Sequence, residues 1–321
     1  VTSSTLAAIN SLLNTSVVTG AVVTNTTDLR ALVALYNEVL TAATSGGTAV
    51  ALTQSEYESI GVAGFSATAT RATAEVAVLN EVISSFADNT KVDRINEVVD
   101  IRKAVSALID TVEGKTPAIT KSQLGLLGFD IDNADGDVNT PSVTDDNLSA
   151  IQAALLGADV STNYDAIDTL SDVQAIVNGA INALEAVKTE ADADDGDSIT
   201  VAQLEAMGVD RAVDTGADAN IALINSILDG SAASSDANTL EKVQKLVDVA
   251  VKVVDLAGDV SADKLTQAEL TLIGITGVNS ATKLALVNDL LVADSTAQAA
   301  LSDIQTFANV AAKVITNLEL A

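Results

Sequence analysis

The stretch TQAELTLIG at 266–274 is one of four nine-residue copies that decide the fold; the others are TQSEYESIG at 53–61, TKSQLGLLG at 120–128 and TVAQLEAMG at 200–208. In each copy a Thr precedes a Glu or Gln by three positions, the spacing of a capping box that opens a helix. A Gly follows the Thr by eight positions, where a two-turn helix needs a left-handed residue to end it. Each copy therefore predicts a short helix with both ends specified.

A second repeated element is a short apolar segment with helical spacing that ends in an amide residue. We call these five residues the anchor amides: Asn10, Asn80, Gln152, Asn225 and Asn288. We interpret their side chains as hydrogen-bonding partners of loop backbone that fix the register of the helices. The alternative is a repeated polar site for a ligand. Repetition within one chain favours the structural interpretation, because every unit needs the same connection.

A third element is a longer helix with apolar residues at relative positions 0, 3 and 6. Its copies begin at Leu29, Val92, Leu170, Leu240 and Leu301. A polar residue stands at relative position 8 of each copy, at Asn37, Asp100, Asn178, Asp248 and Asn309. We expect these side chains to make the same backbone contacts as the anchor amides.

The three elements alternate, so the sequence predicts an all-α, elongated tandem array of three-helix units with about fourteen helices. The anchor amides recur at intervals of 63 to 73 residues, which sets a unit of roughly 70 residues. The predicted units are 1–65, 66–143, 144–214, 215–280 and an incomplete fifth unit at 281–321. In the incomplete unit we expect an apolar stripe that no helix covers. We therefore predict that one copy docks head to tail on the next. The alternative is that the sequence is a segment of a longer array.

The composition limits the function classes. Hydrophobic residues make up 48% of the chain and aromatic residues 2%, so Ala, Val, Leu and Ile must form the core. The net charge of -28 disfavours nucleic acid as a partner and attracts cations. The chain has no His and no Cys, which excludes disulfides, zinc sites of the Cys/His type and His-based catalysis. No apolar run reaches the ~18 residues of a membrane span, so we expect no membrane insertion.

Two acidic loops are candidate calcium sites, because alternating carboxylates around a Gly supply the oxygen ligands that calcium prefers. The candidate ligands are Asp130, Asp132, Asp135 and Asp137 in the first loop, and Asp192, Asp194, Asp195 and Asp197 in the second. The second loop follows an EF-hand frame only in part: Gly196 and Asp197 stand in reversed order, and Gln203 occupies the place of a bidentate Glu. The alternative is a solvated acidic loop at a helix N-terminus, where carboxylates suit the helix dipole.

The run LTQAELTLIGITGVNSATKLALVNDLL at 265–291 resembles helical repeats of very large, acidic bacterial cell-surface proteins of the adhesin and biofilm-matrix type. The resemblance extends loosely over all units, and the first unit departs most, with Tyr57 at the usual Leu position. It implies a scaffold on the bacterial surface or outside the cell, and it implies no particular site residue.

The sequence thus predicts a non-enzymatic extracellular structural protein that forms a rod, fibre or surface layer, with itself and other cell-surface components as partners. The alternative is an adhesin-type binding module whose variable loops between helices bind a protein or a glycan. No arrangement of Ser, Thr, Lys or carboxylates in the sequence indicates a catalytic site.

Overall fold

The computed structural model describes residues 3–14, 23–45, 51–134, 141–158, 164–192, 198–210, 217–231, 237–294 and 300–319. Over these ranges the chain is all-helical, and its only bridge between extended segments joins Ile131 to Val143. The predicted all-α class is confirmed. The helices are α1 Ser3–Leu13, α2 Thr26–Ala42, α3 Gln54–Ser59, α4 Ala69–Ser84, α5 Ile95–Val112, α6 Lys121–Leu126, α7 Leu148–Leu156, α8 Leu170–Asp192, α9 Val201–Ala206, α10 Ala217–Ser231, α11 Leu240–Leu256, α12 Gln267–Leu272, α13 Ala281–Ala293 and α14 Leu301–Glu319.

The chain divides into two compact units, and the division falls within α7 and α8. The first unit comprises Val1–Leu148 and Leu155–Val177, and the second comprises Ser149–Ala154 and Asn178–Ala321. In the first unit α5 packs against α1, α4 and α6, and α2 packs against α1 and α4. In the second unit α10 and α13 each pack against both α11 and α14. Among the described helices, none combines the length and apolar character needed to cross a membrane.

The four short helices α3, α6, α9 and α12 begin and end as predicted. Each has a complete capping box, formed by the Thr before the helix and by the Glu or Gln three positions later. The Gly that follows each helix has a φ between +80° and +96°. In α12 the next N–H, that of Ile275, donates to the carbonyl oxygen of Leu270 at 2.8 Å, which completes the predicted helix ending.

Gly208 has a second reason to be Gly besides its left-handed backbone. A Cβ atom at this position would lie 2.5 Å from the Cβ of Ala153 on α7, which is closer than two non-bonded carbon atoms can approach. At Gly128 the nearest such atom is 3.9 Å away. The same repeated Gly therefore sets only the helix ending at 128, whereas at 208 it also lets α7 approach α9.

The long helices differ from prediction at their starting points. Two of the described copies begin before or after the predicted residue: α2 begins at Thr26 rather than Leu29, and α5 begins at Ile95 rather than Val92. Val92 belongs to a turn, and its carbonyl oxygen accepts a hydrogen bond from the buried hydroxyl of Tyr36 at 2.9 Å. The apolar spacing continues past the helix start because Val92 is fully buried in the same core. Periodicity alone therefore places the start of α5 three residues early and the start of α2 three residues late.

Candidate functional site: the repeated helix joint

Three anchor amides hold the backbone just before a short helix. The side-chain oxygen of Asn288 accepts the N–H of Leu265 at 2.8 Å, and its amide nitrogen donates to the Leu265 carbonyl at 3.0 Å. Asn225 binds Ile199 in the same two ways, at 3.0 and 3.2 Å. The residue that is held stands immediately before the capping Thr in each case. We call this paired contact the amide clamp.

The clamp in the first unit has an additional member. Asn80 accepts the N–H of Leu52 at 3.1 Å and donates to its carbonyl at 2.9 Å. The hydroxyl of Tyr57 also donates to the Asn80 side-chain oxygen, at 2.9 Å. Burial raises the pKa of the Tyr57 hydroxyl. Tyr57 replaces the Leu of the other copies, and this hydrogen bond is what the Tyr adds.

These contacts confirm the structural interpretation of the anchor amides at 80, 225 and 288. Asn10 differs from them, because its side chain is exposed. The interpretation is wrong for four of the five polar residues of the long helices, whose side chains bind no loop backbone among the described residues. Asn37, Asp100, Asp248 and Asn309 lie on exposed helix faces. Asp100 accepts a hydrogen bond from Lys103, three residues later on the same helix. Asp248 and Asn309 accept hydrogen bonds from Gln244 and Gln305, four residues earlier on the same helix, at 2.8 and 3.0 Å.

A second pair of amides holds the backbone after a short helix. Gln305 accepts the N–H of Thr276 at 3.0 Å and donates to its carbonyl at 3.2 Å. Gln244 binds Asp210 likewise, at 2.8 and 3.1 Å. Both Gln residues stand four positions after the start of a long helix, and sequence reasoning missed them. The signal was the shared position, which a comparison of α11 with α14 alone would have revealed.

The residues that follow three of the anchor amides cap a long helix of the next predicted three-helix unit. The hydroxyl of Ser11 on α1 accepts the N–H of Ile95 at 3.0 Å, where α5 begins. The hydroxyl of Ser226 on α10 accepts the N–H of Leu301 at 2.9 Å, where α14 begins. The carboxylate of Glu81 accepts the N–H of Leu170 in the same manner. These side chains satisfy N–H groups that a helix leaves without partners.

A cluster of buried charges joins α4 to α5 in the first unit. Glu75 is 1% exposed and accepts from Arg71 Nε at 3.0 Å and from the N–H of Ser66 at 2.8 Å. The Arg71 guanidinium also pairs with Asp110, at 2.8 Å, and with Glu113. Burial alone would lower the pKa of Arg71, but the hydrogen bonds that it donates to Glu75 and Asp110 raise its pKa overall. Arg71 therefore keeps its charge between α4 and α5, although its side chain is only 10% exposed.

Glu113 extends this cluster towards solvent. It accepts hydrogen bonds from Arg71 and from the hydroxyl of Tyr164, and it pairs with Lys115. Burial alone would raise the pKa of Glu113, but the hydrogen bonds from Lys115 and Tyr164 and the charge of Arg71 lower it overall. Tyr164 itself has a left-handed backbone, with φ +63°.

Because the pKa of Glu113 is lower in the folded protein, its contribution to stability is present above the unfolded value near 4.5 and is lost as pH falls through the folded value. We therefore expect Glu113→Gln to reduce the free energy of unfolding most at pH 7, and progressively less below about pH 4.5. Urea unfolding between pH 3 and 7 measures this. Glu185→Gln, which removes an exposed ion pair with Lys188, is the control and should change little. A Glu113→Gln deficit that is constant over the whole range would contradict the expectation.

The ammonium group of Lys121 pairs with a carboxylate of the first predicted calcium loop. Lys121 Nζ lies 2.9 Å from an oxygen of Asp132 and 2.9 Å from one of Asp145. Hydrogen bonds to Asp145 and Asp132 raise the pKa of Lys121. Asp132 and Asn133 both have left-handed backbone, at φ 53° and 56°. Asp130 lies next to the bridge at Ile131, and Asp135 and Asp137 lie outside the described residues.

Little of the second predicted calcium loop falls within the described residues. Asp192 is the last residue of α8, and Asp194, Asp195 and Asp197 lie outside them. Within the part of the chain that the structure describes, no group of three or more acidic side chains is arranged to hold a metal ion. Asp132 of the first loop is paired with the ammonium group of Lys121.

An acidic cleft of about 690 Å³ lies between α11, α12 and the loop that joins them. Its lining residues are Asp248, Lys252, Asp255, Asp259, Ala262, Asp263 and Glu269. The Lys252 ammonium donates to both oxygens of Glu269, at 2.9 and 3.1 Å. Burial alone would raise the pKa of Glu269, but its hydrogen bonds from Lys252 and Thr266 lower it overall. The excess of carboxylates attracts cationic groups.

Comparisons of the chain with protein-family models, with curated proteins and with solved structures found no match.

Proposed function

We propose that the chain is a non-enzymatic structural repeat protein, an elongated array of three-helix units of roughly 70 residues. The observation that carries the proposal is the recurrence of one joint. Asn80, Asn225 and Asn288 bind the residue before a short helix through the same two hydrogen bonds, all between 2.8 and 3.2 Å. Repeat proteins connect neighbouring units through such recurring local contacts. A contact of this kind positions helices. It also occupies the hydrogen-bonding groups of side-chain amides that could otherwise bind a ligand.

The proposal places the protein outside a bacterial cell or on its surface, where copies stack head to tail into a rod, a fibre or a layer. The resemblance of 265–291 to repeats of acidic surface proteins supports this location. The net charge of -28 supports a role in which the surface is hydrated and repels anionic material. Other cell-surface components are proposed as further partners.

Negative-stain microscopy of the purified chain, over a concentration series in 0.5 M salt, tests the structural role. The added salt screens the repulsion between copies, so that their short-range contacts decide the outcome. We expect filaments or layers to appear as the concentration rises. Single particles at every concentration would contradict head-to-tail stacking.

Calcium remains our proposed ligand for the acidic loops, with the loop that contains Asp192, Asp194, Asp195 and Asp197 as the stronger candidate. A cation that binds only the folded state would raise the free energy of unfolding by about 2.7 kcal/mol at a hundred times its dissociation constant. We expect a chelator to lower the melting temperature and millimolar calcium to restore it. The variant Asp194→Asn is expected to weaken this response, and a melting curve that ignores both chelator and calcium would contradict calcium binding.

The second candidate function is an adhesin-type binding module, and the acidic cleft beside Lys252 is the observation that favours it. Its surplus of carboxylates suits a basic segment of a partner protein better than a neutral glycan. Titration with a lysine-rich peptide, compared between the parent chain and an Asp259→Asn/Asp263→Asn variant, tests it. Equal, salt-insensitive binding by both proteins, or no binding by either, would exclude the cleft as the site.

A further inference from the structure

Helix α14 exposes an apolar face that its counterpart α11 buries. When the two long helices are aligned at their first residues, Val310 and Val314 of α14 correspond to Val249 and Val253 of α11. Val249 and Val253 are 4% and 0% exposed, whereas Val310 and Val314 are 43% and 41% exposed. Leu318, one turn further along, is 68% exposed. An apolar stripe of this kind marks a contact surface.

Within the chain, the structure shows which kind of element packs on a long helix. Helix α13 packs against α11, and α4 packs against α2. Both α13 and α4 contain an anchor amide, and we call a helix of this kind a first helix. The face that α14 exposes is therefore complementary to a first helix.

Helix α1 exposes the apolar positions that other first helices bury. Leu13 stands three residues after its anchor amide and is 41% exposed. The residues at the same position in α4, α10 and α13 are Ile83, Leu228 and Leu291, which are 0 to 2% exposed. Leu6, on the same helix, is 54% exposed. Helix α1 packs on the long helices α2 and α5, and it leaves the apolar side chains of Leu13 and Leu6 exposed for a further contact.

We propose that α1 of one copy docks on α14 of a second copy, repeating the packing of α13 on α11. This inference rests on the proposed structural role and names the surfaces that would connect the copies. The two surfaces differ, so the contact is heterologous and can extend from copy to copy. The net charge of -28 opposes it, so association should strengthen as salt is added.

Two single substitutions test the contact from its two sides. Leu13→Lys removes the apolar face of α1, and Val314→Lys removes that of α14. Each variant alone is expected to stay monomeric in sedimentation velocity at concentrations where the parent chain associates, with the association midpoint raised at least tenfold. A mixture of the two variants retains one intact pair of surfaces and should form a one-to-one dimer. Leu272→Lys, at a residue that is 40% exposed elsewhere on the surface, is the matched control and should associate like the parent.

The outcomes separate the docking surface from the broader function. If the parent chain associates and both variants associate equally well, the α1–α14 contact is wrong while self-assembly stands. If the mixture forms no dimer although each variant is folded by circular dichroism, the pairing of these two surfaces is wrong. If the parent chain stays monomeric at every concentration and salt, a partner other than a second copy covers α14, and both head-to-tail stacking and this contact fail.

Discussion

Replacing Arg71 by Met is expected to lower the free energy of unfolding by about 3–5 kcal/mol, because it leaves a buried carboxylate without its counter-charge. Glu75 is 1% exposed and has Arg71 as its ion-pair partner. Asp110 and Glu113 would lose the same guanidinium. The Met side chain fills much of the volume of the Arg stem, so the expected loss comes mainly from charge rather than from a cavity.

Urea unfolding of the parent and the variant measures this effect. Lys103→Met is the matched control, since the pair of Lys103 with Asp100 is more than half exposed on both sides and should contribute about 0–1 kcal/mol. A double variant, Arg71→Met/Glu75→Met, should recover part of the loss, because it removes the stranded charge as well. If Arg71→Met unfolds within about 1 kcal/mol of the parent, the cluster does not hold α4 to α5 as its geometry indicates.

The short helices could be predicted from the sequence because their determinants are local. The capping Thr, the Glu or Gln and the terminal Gly all lie within nine residues, so each copy by itself determines where its helix begins and ends. The anchor amides were also predictable in role, because their position repeats relative to apolar residues. The sequence did not reveal which backbone groups they bind. The structure shows that these groups lie 23 to 28 residues away in the chain.

The charge cluster could not be predicted, because its members are brought together from distant parts of the chain. Glu113 lies 42 residues from Arg71 and 51 residues from Tyr164, and no repeat marks these positions. Asn37 and Asp100 were misjudged for the opposite reason. Their positions repeat, but both side chains lie on exposed helix faces and bind no loop backbone within the part of the chain that the structure describes.

The predicted calcium loop at 130–137 shows how one distant cation changes the interpretation of acidic residues. From the sequence, Asp132 was a candidate ligand. In the structure it pairs with the ammonium of Lys121, eleven residues earlier on α6. Lys121 thus provides a positive charge beside Asp132, where the sequence predicted a metal ion.

Asn288→Ala is expected to destabilise the second compact unit by about 2–6 kcal/mol, because it leaves two buried backbone groups without partners. The variant loses the hydrogen bonds to the N–H and the carbonyl of Leu265, and a further one to the carbonyl of Leu284. Asn288 and Leu265 are 4% and 2% exposed, so water cannot readily replace the amide. Each buried backbone group left without a partner costs about 1–3 kcal/mol.

The repeat supplies a matched control for this substitution, since Asn10 occupies the same position of a first helix with its side chain exposed. Asn10→Ala should change the free energy of unfolding by less than about 0.5 kcal/mol, the ordinary effect of a surface substitution. Asn288→Asp separates the two halves of the clamp. The carboxylate still accepts the N–H of Leu265 but faces its carbonyl oxygen without a proton to donate, so this variant should be at least as unstable as Asn288→Ala. Hydrogen exchange of the Leu265 amide reports the same contact locally, and should accelerate in both Asn288 variants and not in Asn10→Ala. If Asn288→Ala and Asn10→Ala prove equally mild, the paired hydrogen bonds do not stabilise the joint, and packing between α11 and α13 alone connects the units.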